Sequence, residues 1–409
     1  MKKSVFIVLA AVLAFGMLTA CSRGGKGNSG SISIRFATWD DAEDLDAQQA
    51  LVDRFNSSNS NIKVAIEAYG DDFDAKIAAS MGSKDAPDVM YMWNYPAYYG
   101  GLEVLDPYIE KEGKNFRSNY FEAVWTYNSI SGKVYGMPVG FTTHVLYYNI
   151  DMFDKAGVSY PNESWTWNDL RNAARIITEY YNDGKTKGFV FPLEYDPYDY
   201  EMYLWANGTA FSDASGKIDG FVNGPAAVEV YTFFQNLLKD GYAVADEDGY
   251  GTSIIRNGSA AMYINGSWPI SGLRDAGINF NVAPLPMFKP GQKAPSILSS
   301  SGLAMSVDSK NKGAAWEFIK FWTGTDANIA RIDYELPVLI SVTQSQNVES
   351  DPIKGMFYNM LRRSEGYTPA SFIVDNWSQI SDRILLAMEK MWNPTSYTDP
   401  QEAADAVVR

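Results

Sequence analysis

Two tryptophans each precede a polar residue at the predicted end of a strand. Trp39 is followed by Asp40, and Trp93 is followed by Asn94. An indole face covers flat C–H surface on a ligand, while a carboxylate or an amide exchanges hydrogen bonds with hydroxyl groups. Together these residue types suit a neutral, polyhydroxylated ligand such as a sugar. Both tryptophans could instead cap the sheet, because aromatic residues are abundant, with 11 Trp, 26 Tyr and 21 Phe.

Alternating strands and helices are predicted to position these pairs. Strand patterns cover residues 32–37 and 62–68, each is followed by a helical pattern, and a third strand is predicted over 88–93. This order is typical of a parallel sheet built from βαβ units. Ligand crevices in such sheets lie at the carboxyl ends of the strands, which is where Trp39 and Trp93 fall.

The elements further along the chain follow the same α/β pattern. Thr166 and Asp169 have the spacing of a capping box at the start of a helix. Pro225 is expected to begin another helix, which Gly241 ends. Residues 134–149 are predicted to form a turn followed by one strand.

The N-terminal residues have the pattern of a bacterial export signal. Two lysines precede an apolar run over residues 5–15, and small residues lead to Cys21. The run is shorter than the roughly 20 residues that a membrane-spanning helix needs. Cys21 is the only cysteine, so it has no disulfide partner within the chain. We predict a signal peptide over 1–20, lipid (palmitate) attachment at Cys21 and a flexible tether over 21–31; an ordinary signal with a chance cysteine is the alternative.

The predicted mature chain is acidic and long enough for two lobes. Of 34 Lys and Arg, two lie in residues 1–20, which leaves 32 against 49 Asp and Glu and a formal net charge of −17. Such a surface repels phosphate backbones and anionic headgroups, so nucleic acid is a poor partner and membrane attachment must come from the lipid. The remaining length of about 380 residues predicts two lobes, and we expect a monomer.

Several short motifs follow one another through the chain. They are Pro87-Asp88-Val89, Val134 to Pro138, Leu146 to Asn149, Thr166 to Leu170, Asn257 to Met262, Gly266 to Pro269 and Ser301 to Ser306. In this order they resemble the family 1 extracellular solute-binding proteins of ABC importers, of the maltodextrin-binding type. The resemblance runs from Ile32 nearly to Arg409. It implies the type II periplasmic-binding-protein fold, in which two hinged α/β lobes enclose a central ligand cleft.

The resemblance also implies how the chain is divided. The predicted division is 32–141 with 285–325 for lobe one and 142–284 with 326–409 for lobe two. Hinge segments are expected at 140–142, at 282–286 and near 323–326, because glycine or proline there suits a crossing whose backbone angles differ from a regular strand.

Further cleft residues follow from the resemblance. Trp268 and Trp377 match positions where the family has stacking aromatics, and Glu194 and Tyr195 lie where maltodextrin binders have cleft residues of lobe two. Thr142 stands where those binders carry a carboxylate, which argues against maltose itself as the ligand. Trp377 could equally belong to an apolar helix stripe, and the loop that holds Glu194 could be solvated.

These features predict a lipid-anchored receptor outside the cytoplasm, on the periplasmic side where the cell has two membranes. It would capture a carbohydrate, in particular an oligosaccharide, and deliver it to an ABC permease. The alternatives are a secreted glycoside hydrolase with a carboxylate pair, such as Asp40 with Glu194, and a lipid-anchored sugar sensor or adhesin. His144 is the only histidine, which excludes histidine-rich zinc or copper sites, and no metal or cofactor is expected.

Overall fold

The chain folds into two main β-sheets with helices packed around them. The computed structural model describes residues 31–40, 42–192, 196–246 and 251–409. The predicted signal peptide and Cys21 lie outside these residues. Among the residues described, no helix has the length and the apolar character to cross a membrane.

The strands and helices are labelled in chain order. The strands are β1 (Ile32–Thr38), β2 (Ile62–Ala68), β3 (Val89–Met92), β4 (Ser129–Ile130), β5 (Lys133–Val134), β6 (Gly136–Thr143), β7 (Val145–Asn149), β8 (Lys187–Pro192), β9 (Ala243–Asp246), β10 (Ala260–Asn265), β11 (Phe280–Ala283), β12 (Leu298–Met305) and β13 (Leu336–Pro337). The helices are α1 (Ala42–Ser58), α2 (Phe73–Gly82), α3 (Tyr95–Tyr98), α4 (Asp106–Ile109), α5 (Glu122–Tyr127), α6 (Ile150–Ala156), α7 (Trp167–Tyr181), α8 (Pro197–Ala206), α9 (Pro225–Lys239), α10 (Thr252–Arg256), α11 (Ile270–Asp275), α12 (Lys312–Thr323), α13 (Thr325–Ala330), α14 (Ile340–Ser345), α15 (Lys354–Arg363), α16 (Trp377–Trp392) and α17 (Pro400–Val408).

The first sheet has the strand order β13-β6-β12-β3-β1-β2. Strand β1 pairs in parallel with β2, with Ile32 opposite Ile62, and in parallel with β3. The predicted strand-helix-strand-helix-strand order is therefore confirmed for β1 to β3. Strand β12 runs antiparallel to both β3 and β6 and fills the centre of the sheet.

The second sheet has the order β11-β7-β10-β8-β9. Its central strand β10 is antiparallel to β7 and parallel to β8. All six residues of β10 are buried, as expected for a strand covered on both faces. A separate two-stranded ribbon, β4 with β5, lies before the long strand β6.

Residues 134–149 differ from the single strand that the sequence predicts. Strand β6 pairs with β12 and β13 in the first sheet, whereas β7 pairs with β10 and β11 in the second. His144 lies between the two strands, so the chain passes here from one sheet to the other. A continuous apolar run does not reveal whether it forms one strand or two consecutive strands in different sheets.

Large aromatic side chains fill the core. Trp167, Trp316 and Trp322 are buried, as their positions in helix starts and stripes predict. Around Trp322, the ring of Phe36 lies 4.9 Å away between centroids, in an edge-on arrangement. Each such side chain contributes about 1.5 to 3 kcal/mol through burial of its apolar surface.

The predicted capping box of α7 is also confirmed. The Thr166 hydroxyl accepts the Asp169 backbone N–H at 3.3 Å, and the Asp169 carboxylate accepts the Thr166 N–H at 2.8 Å. Two N–H groups that would otherwise lack partners at the helix start are thus satisfied.

Candidate binding site

Two neighbouring chambers share Trp93, and each has a volume of about 560 Å³. We call the first the Trp268 chamber; its wall includes Trp39, Asp74, Trp93, Thr142, Trp268 and Glu335. We call the second the Trp377 chamber; its wall includes Trp93, Asn94, Tyr127, Tyr198, Phe372 and Trp377. Their size is typical of small-molecule sites, and Trp93 lies at the border between them. We call the two chambers together the cleft.

Strand ends of the first sheet position Trp39 and Trp93. Trp39 follows β1, and its ring packs on Phe73 and Tyr91 at centroid distances of 5.4 and 4.7 Å. Trp93 follows β3 and is 38% exposed. Trp39 is therefore partly held by the core, while Trp93 presents an accessible face to both chambers.

Trp268 follows β10 of the second sheet and lines the Trp268 chamber. It is 50% exposed and its ring covers Gly266, where a Cβ atom would lie 2.2 Å from Cζ3 of the indole. Glycine is therefore required for this orientation of the ring. The buried ring of His144 meets the indole edge-on at 5.8 Å between centroids. Trp93 and Trp268 thus bring aromatic faces from different sheets to one chamber.

Thr142 connects the Trp268 turn to the first sheet. Its hydroxyl accepts the Ser267 backbone N–H at 2.9 Å and donates to the carbonyl of Thr143 at 3.1 Å. The residue lies in β6 and lines the Trp268 chamber. Its hydroxyl thus joins strand β6 to the turn after β10.

Asp74 is a cleft residue that the sequence reading did not identify. It lies in the first turn of α2, lines the Trp268 chamber and accepts a hydrogen bond from the Tyr98 hydroxyl at 3.2 Å. Burial raises the pKa of this carboxyl, and hydrogen bonds from Tyr98 and Trp93 oppose the rise. Asp74 therefore offers an acceptor beside the Trp93 ring.

Glu335 is a second carboxylate that the sequence reading missed. Its Oε1 accepts the Ser301 hydroxyl at 2.6 Å, and its Oε2 pairs with Nε of Arg331 at 2.8 Å. Gly140 allows this approach, because a Cβ atom there would lie 2.2 Å from Cγ of Glu335. The short strand β13 follows Glu335 and brings it to the chamber.

Two residues that the sequence predicts to contact the ligand, Asn94 and Trp377, line the Trp377 chamber. The Asn94 side chain caps α3 by accepting the Ala97 N–H at 3.3 Å. Trp377 begins α16, is half-buried and has the ring of Phe211 at 6.1 Å. It therefore both packs on the protein and borders the cleft.

Aromatic rings from distant parts of the chain form the inner wall of the Trp377 chamber. Tyr127 contacts Tyr198 at 6.4 Å and Phe372 at 5.4 Å between centroids. The segment before Phe372 is held by Glu201, whose carboxylate accepts the Ala370 N–H at 2.7 Å. Burial raises the pKa of Glu201 to about 7.

Of the remaining predicted site residues, one lies apart from both chambers and two cannot be placed. Asp40 follows Trp39 but is absent from the walls of both chambers, and its carboxylate accepts a hydrogen bond from Gln48. Glu194 and Tyr195 lie outside the described residues. The carboxylate pair considered for a hydrolase, Asp40 with Glu194, therefore gains no support.

Over 31–40, 42–192, 196–246 and 251–409, no group of three or more His, Cys, Asp or Glu side chains is arranged to hold a metal ion.

His144 allows a prediction about pH. Burial lowers its pKa from 6.5 to about 3, so between these values the unfolded chain takes up a proton that the folded chain does not. The contribution of His144 to stability therefore falls as the pH drops below 6.5, by about 1.4 kcal/mol at pH 5.5. Buried carboxyls such as Glu201 shift the stability of both proteins in the opposite direction, so the test compares the wild type with His144→Asn. Between pH 7.5 and 5.5, we expect the change in unfolding free energy to be about 1.4 kcal/mol more favourable in His144→Asn. Equal changes in both proteins would contradict the prediction.

The chain is similar in sequence to known bacterial and archaeal binding proteins. Residues 50–355 match the family described as bacterial extracellular solute-binding protein. The chain is 27% identical to the maltotriose-binding protein of Pyrococcus abyssi, over 76% of this chain and 67% of that protein. It is 24% identical to the galactooligosaccharide-binding protein of Bacillus subtilis, over 99% of this chain and 95% of the relative.

A solved structure is similar over nearly the whole chain. An ABC substrate-binding protein from Listeria monocytogenes, in complex with cycloalternan, has a TM-score of 0.79 at 25% identity, with 92% of this chain and 97% of that chain covered. The likeness confirms the predicted two-lobe α/β fold class, and the relatives are binding proteins. The chain belongs to the family of bacterial extracellular solute-binding proteins.

Proposed function

We propose that this protein is the solute-binding receptor of an ABC importer and that it captures an oligosaccharide in the cleft formed by the two chambers. One observation carries the proposal: Trp93 and Trp268 follow strands of different sheets and line the same chamber. Two aromatic faces of this kind can hold a sugar ring by its C–H surfaces, while neighbouring hydroxyl and carboxylate groups bind its hydroxyls.

The dimensions of the cleft favour an oligosaccharide over a single sugar. Each chamber alone falls within the size range of a small-molecule site, and Trp93 belongs to both. A ligand that spans the two chambers would pass over the Trp93 face. The relatives are named for maltotriose and galactooligosaccharide, and the similar solved structure holds cycloalternan, which agrees with a ligand of several sugar units.

A ligand that contacts both lobes would favour the closed arrangement of the two lobes. A saccharide between Trp93 and Trp268 would interact fully only when the two lobes approach, so binding would shift the population toward the closed state. The passage at His144 between β6 and β7 is one place where the backbone could turn during closure. A membrane permease would then distinguish the loaded receptor from the empty one.

We expect neutral oligosaccharides to raise the melting temperature of the purified protein. The test compares maltotriose, a galactotriose and an arabinotriose by differential scanning calorimetry. A ligand at 100 times its Kd adds about 2.7 kcal/mol of stability, which gives a clear shift. The corresponding monosaccharides are the control and should give smaller shifts. If no saccharide raised the melting temperature, the receptor proposal would fail.

The same samples separate a receptor from a glycoside hydrolase. A receptor binds one labelled oligosaccharide per chain and returns it intact, whereas a hydrolase shortens it. Intact ligand after prolonged incubation is expected. Shortened products from the purified protein, absent when heat-denatured protein is used, would favour the enzyme.

The family description is extracellular, and we propose that a lipid on Cys21 anchors this chain to the membrane. The support is the sequence alone: a positive start, an apolar run and small residues before a single cysteine. Several acyl chains at one cysteine would anchor the protein stably, whereas one would not. We further propose that the receptor is a monomer that meets its permease at the membrane surface.

A further inference from the structure

The charged residues of the cleft wall are carboxylates. Asp71, Asp74 and Glu335 line the Trp268 chamber, and Asp196 and Asp375 line the Trp377 chamber. Within the described part of the chain, neither wall includes a lysine or an arginine. The short undescribed segments 193–195 and 247–250 contain no basic residue in their sequence either.

Glu335, one of these carboxylates, forms an ion pair with Arg331. Arg331, whose side chain is 1% exposed, pairs with Glu335 at 2.8 Å and donates to the Trp322 carbonyl at 3.0 Å. Its guanidinium is therefore committed to the protein interior and is not available to a ligand in the chamber. Lys76, which follows Asp74 in α2, lines neither chamber, and its Nζ lies 3.7 Å from a carboxylate oxygen of Asp72.

Asp74 has no cationic partner among the described ion pairs. Its described partners are the Tyr98 hydroxyl, at 3.2 Å, and the Trp93 side chain, which are neutral donors. None of the ion pairs among described residues involves Asp74. A ligand that reaches the Trp93 face from the Trp268 chamber therefore meets an uncompensated carboxylate.

Carboxylate or amide side chains stand at the starts of three helices near the cleft, α2, α3 and α16. Anions are usually held by arginine, lysine or free N–H groups at a helix N-terminus. Asp74 lies in the first turn of α2, and Asn94 already caps α3. Asp375 lies two residues before α16 begins. The start of this helix, beside the Trp377 chamber, therefore also has a carboxylate close to it in the chain.

We propose that the cleft accepts uncharged and amino-bearing oligosaccharides and rejects those that carry a carboxylate or a phosphate group. This inference rests on the proposed function and narrows its substrate class. An anionic ligand would approach several carboxylates without a counter-charge, whereas hydroxyl and ammonium groups can donate hydrogen bonds to the same oxygens.

The test uses saccharides that differ only in charge. Isothermal titration calorimetry of the purified protein compares maltotriose and galactotriose with their derivatives oxidised to the uronate at C6, and includes 6-amino-6-deoxy derivatives and glycerol 3-phosphate. At low salt we expect each uronate to bind at least about tenfold more weakly than its neutral parent, and the difference to shrink in about 0.5 M NaCl because salt screens the repulsion. The amino derivatives should bind at least as well as the neutral parents.

Charge variants identify the source of the effect. Asp74→Asn keeps an acceptor for Tyr98 but removes a charge, so it should reduce the difference between the neutral sugar and its uronate. Glu110→Gln removes an exposed carboxylate away from the cleft and should leave the difference unchanged.

The outcomes separate this inference from the function on which it rests. A uronate that binds as tightly as its neutral parent overturns the charge inference and leaves the saccharide receptor standing. Binding of glycerol 3-phosphate without any saccharide overturns both. An unchanged difference in Asp74→Asn, with salt having no effect, would likewise contradict an electrostatic origin.

Discussion

Replacing Trp268 by alanine is expected to weaken oligosaccharide binding by at least about thirtyfold, which corresponds to about 2 kcal/mol, because buried tryptophans at binding sites are frequent hot spots. The indole is 50% exposed in the structure and lines the Trp268 chamber, so a ligand would bury its exposed surface. The folded protein should lose little stability, since half of the side chain already lies in water. Titration calorimetry measures the affinity, and urea unfolding measures the stability.

A matched control separates this effect from a general loss of aromatic surface. Tyr180 in α7 is 54% exposed, has the ring of Tyr181 at 5.3 Å and lies outside both chambers. Tyr180→Ala should leave the affinity unchanged. Trp268→Phe should retain part of the affinity, because a smaller aromatic face remains. Equal affinities of Trp268→Ala and the wild type would contradict the stacking role.

The aromatic part of the site could be predicted because it depends on local patterns. Trp39 and Trp93 each follow a strand that the sequence predicts. Parallel pairing brings the ends of these strands, β1 and β3, to one edge of the sheet. Trp268 follows a strand of the second sheet and a glycine that its ring covers. For these residues, the strand pattern and the neighbouring turn carry enough information to place the side chain near the cleft. Their contact with a ligand stays a prediction.

The carboxylates of the site could not be predicted in the same way. Asp74 has the sequence position of an ordinary acidic residue at a helix start, where a carboxylate suits the dipole. Only the tertiary structure, in which its carboxylate meets the Tyr98 hydroxyl and the Trp93 side chain, brings it to the chamber. Asp40 shows the converse, because it is adjacent to a cleft tryptophan in sequence, yet its carboxylate accepts a hydrogen bond from Gln48 in α1.

Glu335 depends on a contact between distant parts of the chain. It precedes β13, a two-residue strand that pairs with Phe141 and Gly140 of β6 almost 200 residues earlier. A strand of two residues has no periodicity that a sequence pattern could reveal. The same limit applies to residues 134–149, where a continuous apolar run contains two strands of different sheets.

Replacing Glu335 by alanine is expected to lower the free energy of unfolding by about 3 to 5 kcal/mol, because it leaves a buried arginine without its counter-charge. The Arg331 side chain is 1% exposed and pairs with Glu335 at 2.8 Å. The Ser301 hydroxyl would lose its acceptor as well, and space would open over Gly140. Urea unfolding measures the change, with an unchanged slope indicating that the unfolded state is the same.

Removal of both charges tests this explanation. In Arg331→Met combined with Glu335→Gln, no buried charge remains, so the double variant should be more stable than Glu335→Ala. The exposed pair of Arg175 and Glu179 in α7 provides the surface control, and Glu179→Ala should cost less than about 1 kcal/mol. A loss in Glu335→Ala as small as that of Glu179→Ala would show that water reaches Arg331, and that the ion pair does not hold this wall of the cleft. A large loss that the double variant reverses would establish the ion pair as the support that holds Glu335 in the wall of the Trp268 chamber.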